Sequence, residues 1–74
     1  MLSIEPLMDF DLPDMFQLIS EAQPYMVAIG LNTSRRVKLP EPSKDKVLAL
    51  LQGIDQMGIT IVQKESLKDF LNRP

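Results

Sequence analysis

Residues able to do chemistry gather at three points of this 74-residue chain. Glu5, Asp9 and Asp11 stand near its start, Asn32, Ser34, Arg35 and Arg36 in its middle, and Lys64 and Glu65 towards its end. Carboxylates beside cations can do acid–base work when their pKa values are pushed apart. No spacing among Glu5, Asp9 and Asp11 specifies such a pair, and Asp11 is equally suited to cap a helix, so no catalytic residue is assigned. Arg35, Arg36 and Lys64, with a helix starting at Ser66, could hold a phosphate, because cations and helix N-termini both attract anions. The plainer reading of two adjacent arginines is a solvated loop. The chain has neither cysteine nor histidine, so a metal would depend on Asp9 and Asp11, too few ligands for a site. Glycines 30, 53 and 58 are too scattered for a phosphate-cradling loop.

The elements that must position these residues emerge from apolar periodicity. Tyr25 to Asn32 is nearly continuously apolar and bounded by Pro24 and Asn32-Thr33-Ser34, the pattern of a central strand in a parallel sheet. Before it, Leu2, Ile4 and Met8 alternate with polar residues as one strand, which Pro6 confines to an edge or ends, because proline has no N–H for the ladder. Leu12, Met15, Phe16, Ile19 and Ala22 repeat at helical spacing behind Asp11 and Pro13, and Gln23-Pro24 stops that helix. Residues 32–42 form the longest loop. Ser43 caps a second helix with the stripe Val47, Leu50, Leu51, Ile54 and Met57, closed by Gly58, while Gly53 inside it costs about 1 kcal/mol relative to alanine. Ile59 to Val62 is a third strand. Ser66, with Asp69 three residues on, starts a last helix carrying Leu67, Phe70 and Leu71. The five methionines read as core filler, with Met15 and Met57 on helix stripes.

The expected fold is therefore α/β, a single small domain over residues 1–74 with βαβαβα order and a three-stranded parallel sheet. With the strands side by side in chain order, right-handed crossovers put the first two helices on one face and leave the other bare. A first strand in the middle would instead cover both faces. Alternation turns Leu2, Ile4, Tyr25, Val27, Ile29, Ile59 and Ile61 to the helices. Ser3, Glu5, Met26, Ala28, Gly30, Asn32, Thr60, Val62 and Lys64 face the other way, as a ligand-approached interior or a solvated sheet. Parallel sheets are almost always buried on both faces, so a half-covered one looks incomplete.

Eight lysines and arginines against ten aspartates and glutamates give a net charge of −2 with both signs interspersed, unlike the basic face that nucleic-acid binding needs. No apolar run approaches the roughly 20 residues of a membrane span. The lack of cysteine fits a reducing compartment, and the chain reads as cytoplasmic. A domain of this size is marginal on its own, and without disulfide or metal ligands association is the available support.

Ser3-Ile4-Glu5-Pro6-Leu7-Met8-Asp9-Phe10-Asp11 resembles a late strand of the radical S-adenosylmethionine superfamily, especially its archaeal and phage-type members. Ala28-Ile29-Gly30-Leu31-Asn32, Lys38-Leu39-Pro40-Glu41-Pro42, and the ending from Gly58-Ile59 to Lys64-Glu65-Ser66-Leu67 resemble the segments that come after that strand in the superfamily. The resemblance implies the last three β–α units of a TIM-like partial barrel, with Glu5 and Asn32 facing the cofactor or substrate chamber. Members of the superfamily bind an iron–sulfur cluster through Cys-x-x-x-Cys-x-x-Cys in an earlier segment. This cysteine-free chain would meet that cluster and S-adenosylmethionine only when joined to a cysteine-bearing partner or a missing N-terminal barrel segment, and would have no activity alone. The competing expectation is a small α/β interaction module that homodimerises through its uncovered sheet face. Phosphate binding at Arg35, Arg36 and Lys64 is a third.

Overall fold

The computed structural model describes residues 1–31 and 41–72. They form strand β1 (Leu2–Ile4), helix α1 (Leu12–Ala22), strand β2 (Met26–Ile29), helix α2 (Lys44–Gln56), strand β3 (Thr60–Gln63) and helix α3 (Glu65–Leu71). The sheet is parallel and open, in the order β1-β2-β3. Leu2 pairs with Val27 and Val27 with Ile61; Ser3 pairs with Ala28 and Ala28 with Val62. Chain-order topology makes both crossovers wind the same way, so α1 and α2 share one face. Val27, Ile29, Ile19, Val47, Leu50, Ile54, Leu67 and Phe70 belong to a single buried cluster on that face. Ala28 is buried outside the cluster, and Met26 and Val62 are not among the side chains packed against it.

Local chemistry sets the helix ends. The Asp11 carboxylate accepts from the Asp14 N–H at 3.0 Å, Pro13 occupies the first turn, and Gln23 closes α1 in the left-handed region at φ 47°. Ser43 Oγ accepts from the Lys46 N–H at 3.2 Å, and Gly58, at φ 78°, comes after the last residues of α2. Gly53 has a steric role beyond its cost in helix propensity. The edge of the Phe16 ring on α1 occupies the place that a β-carbon at residue 53 would take, so the glycine lets the two helices close up.

Several boundaries differ from those the side-chain pattern predicts. The first strand ends at Ile4 rather than running to Met8. In a regular ladder the amide of residue 6 would donate to Gly30, but Pro6 has no N–H. The Leu7 N–H donates to the Gly30 carbonyl instead, at 2.8 Å, while the Gly30 N–H donates to Ile4 at 3.0 Å. This one-residue slip gives Leu7 the core-facing position, where it is only 2% exposed, and Met8 is left outside. Burying Leu7 contributes roughly 1.5–3 kcal/mol. Tyr25, expected against the helices, is 73% exposed because β2 begins one residue later. The central strand covers Met26–Ile29, not Tyr25 to Asn32, and the third is shifted by one residue to Thr60–Gln63. Ala22 ends α1 and Met57 caps α2, and both are exposed, Met57 at 43%, rather than completing the apolar stripes. Ser66 does not start α3, whose N-cap is Lys64.

Candidate functional site

The face of the sheet that no described helix packs against ends in a row of three residues, one from the end of each strand. One register step beyond the Ile4–Ile29–Gln63 row come Glu5, Gly30 and Lys64. Gly30 has no side chain, so the flanking side chains lean across it: a β-carbon there would meet the Glu5 carboxyl and Lys64 Cγ at 3.1 Å. Glu5 Oε2 lies 3.7 Å from Lys64 Nζ, and both side chains remain about half exposed. A glutamate and a lysine thus stand together above the central strand, at the C-terminal end of a parallel sheet, where such folds carry their sites.

Behind this row, β2 is anchored to α3. The Leu31 N–H donates to Ser66 Oγ at 2.9 Å in a partly buried setting, which holds the end of β2 against the first turn of α3. Its spacing to Asp69 makes Ser66 a candidate cap for its own helix; its hydroxyl serves a residue 35 positions away instead. No local spacing announces that contact.

A second charged cluster joins the β1–α1 connection to α2. Lys46 Nζ donates to Asp9 Oδ1 at 2.9 Å and to the Phe10 carbonyl at 2.7 Å, and stands 5.5 Å from the centre of the Phe10 ring. Asp9 Oδ1 also accepts from the Phe10 N–H at 3.0 Å. The Lys46 hydrogen bond holds the Asp9 carboxyl below the usual aspartate value. The sequence offers Asp9 as a possible acid–base group but gives no sign of Lys46, since a side chain on α2 can be matched to this loop only once the helices are packed.

The three early carboxylates therefore have separate partners: Glu5 has Lys64, Asp9 has Lys46, and Asp11 caps α1. They do not form a paired-carboxylate centre. Of the residues considered for phosphate, Lys64 faces Glu5, whereas Arg35 and Arg36 lie outside the described residues, as do Asn32 and Ser34. Among the described residues no group of three or more His, Cys, Asp or Glu could hold a metal ion, and no helix is long and apolar enough to cross a membrane.

Two depressions are lined wholly by described residues, and both lie away from the Glu5–Lys64 row. A depression of about 340 Å³, lined in part by Gln23, Pro24, Met57 and Ile59, opens at the opposite end of the sheet, where β2 and β3 begin. A shallower one of about 210 Å³ lies over the first turns of α1, beside Phe10 and Leu18. The Glu5 and Lys64 side chains themselves are about half exposed. No family model, curated protein or solved structure matches this chain.

Proposed function

We propose that this chain is an association module that works by having its uncovered sheet face covered by a second copy of itself. The observation that supports this reading is the one-sided core. The buried apolar cluster lies on the Val27 and Ile29 face, while Ser3, Met26, Ala28, Thr60 and Val62 form a face that no described helix packs against. Ala28 at its centre is only 3% exposed between its neighbours, while Val62 beside it is 38% exposed and Met26 is half-buried, so the apolar area still open on this face comes from Met26 and Val62. Parallel sheets are stable when both faces are buried, and a twofold pair supplies the missing layer.

Dilution of the isotopically labelled chain, monitored by amide chemical shifts, tests this directly. Concentration-dependent shifts are expected at Ser3, Ala28, Thr60 and Val62. Shifts confined to the outer surfaces of α1 and α2 would place the interface there and end this reading.

A second reading is favoured by the position of Glu5. In the radical S-adenosylmethionine partial barrel that the Ser3-Ile4-Glu5-Pro6 strand resembles, the face opposite the helices is the chamber side. Glu5 and Lys64 occupy the C-terminal end of that face here. On this reading the chain forms part of the substrate-side wall, and a cysteine-bearing partner brings the iron–sulfur cluster and S-adenosylmethionine. Co-expression with a cysteine-bearing barrel segment and co-purification of the pair tests it; the absence of any complex argues against it.

A further inference from the structure

We infer that the second copy docks with its strands running in the same direction as those of the first, about a twofold axis parallel to β2, so that Glu5 of each protomer meets the partner's Lys64. This rests on the self-association proposed for the bare face and specifies its geometry. Two face-to-face arrangements are open to a three-stranded sheet, and the charge layout distinguishes them.

A twofold axis parallel to the strands exchanges left and right without exchanging top and bottom. It lays β1 of one protomer over β3 of the other and keeps each β2 over its mate. Glu5 ends β1 and Lys64 comes after β3 in the same transverse row. The operation therefore sets each glutamate opposite the partner's lysine and closes four charges into an alternating ring. Ala28 and Gly30 lie on the axis, and the Glu5 and Lys64 side chains that lean across Gly30 stand to either side of it.

An axis perpendicular to the strands reverses one sheet. It puts the Glu5–Lys64 row over the end where Met26 and Thr60 start their strands, and the charged rows sit at opposite ends without counter-charges. The row is also a weak pair within one chain, at 3.7 Å and half exposed, which leaves both groups able to turn outward.

Three strands of three or four residues, spaced about 4.8 Å apart, give a face of only about 200 Å² per protomer, well below the roughly 800 Å² of a stable interface. The dimer is accordingly weak, and its charged row decides its register.

Charge-reversal mixing tests the geometry. Glu5→Lys and Lys64→Glu are each measured alone and then mixed at equal concentration, by sedimentation up to millimolar chain, with the fold of each variant checked by its amide spectrum. Each single variant places like charges across the axis and should dissociate at least about tenfold more readily than the wild type. The mixture should recover wild-type association, because a protomer carrying two lysines in its row then faces one carrying two glutamates, with opposite charges at both crossings. Glu5→Gln and Lys64→Gln, which carry no repulsion, serve where a reversal fails to fold, and each should weaken association and reduce its salt dependence. Wild-type-like self-association of the single variants, or a mixture no tighter than its components, would overturn the parallel axis. Were the wild type monomeric at every concentration, self-association itself would fail along with it.

Discussion

Gly53→Ala offers a close test of how α1 and α2 pack. Judged by helix propensity alone, the substitution should stabilise α2 by about 1 kcal/mol. The structure predicts the opposite sign. The Phe16 ring edge already fills the site of the new methyl group, so the ring must swing away or the helices must separate. Overpacking of that kind costs about 1–3 kcal/mol, which leaves a net loss of about 1 kcal/mol after the propensity gain. In a domain of this size such a loss lowers Tm by about 4–8 °C. Phe16→Leu removes the ring edge and should free the space. In that background Gly53→Ala should recover its full propensity gain, a coupling of about 2 kcal/mol between the two positions. Urea unfolding of the wild type, both single variants and the double variant measures this cycle. Stabilisation by Gly53→Ala in the wild-type background, with coupling near zero, would refute the packing described for Phe16.

Ser66→Ala leaves the Leu31 N–H partly buried without its acceptor and should cost about 1–3 kcal/mol, with faster hydrogen exchange at the Leu31 amide as the local sign. Gly58→Ala forces a β-carbon into the left-handed region at φ 78° and should cost about 1–2 kcal/mol in thermal unfolding. The Lys46–Asp9 contact predicts a pH dependence. Because Asp9 is held below the usual aspartate value, the folded chain takes up that proton less readily than the unfolded chain. Its contribution is complete above about pH 4 and is lost as pH falls through the lowered folded-state value. Asp9→Asn should flatten that part of the acid-unfolding curve, and an unchanged curve would remove the contact from the account.

Much of the backbone plan is legible from side-chain pattern because its causes are local. Asp11 and Pro13 start α1, Gln23-Pro24 ends it, and Ser43 and Gly58 bracket α2, each through hydrogen bonds or backbone conformations settled within a few residues. The alternation of β1, β2 and β3 likewise separates the helix-covered face from the Ser3–Ala28–Val62 row. What the pattern could not supply depends on geometry between distant residues. Pro6 announces the end of a strand, but the transfer of its bonding role to Leu7 emerges only when the Gly30 carbonyl stands opposite. Ser66 looks like a cap from its spacing to Asp69, yet the Leu31 N–H claims its hydroxyl. Gly53 reads as a weak point of a helix until Phe16 is placed beside it. Of the site, Glu5 and Lys64 could each be assigned to a strand end, but their meeting across Gly30 required the register of all three strands.

Self-association is proposed to run through the Ala28 face. Light scattering of the wild type and of Ala28→Glu, over a concentration series reaching millimolar chain, tests it most directly. The wild-type mass should rise from 8.4 kDa towards twice that value, with the folded variant remaining at the monomer mass throughout. A variant that rises along the same curve as the wild type would contradict it.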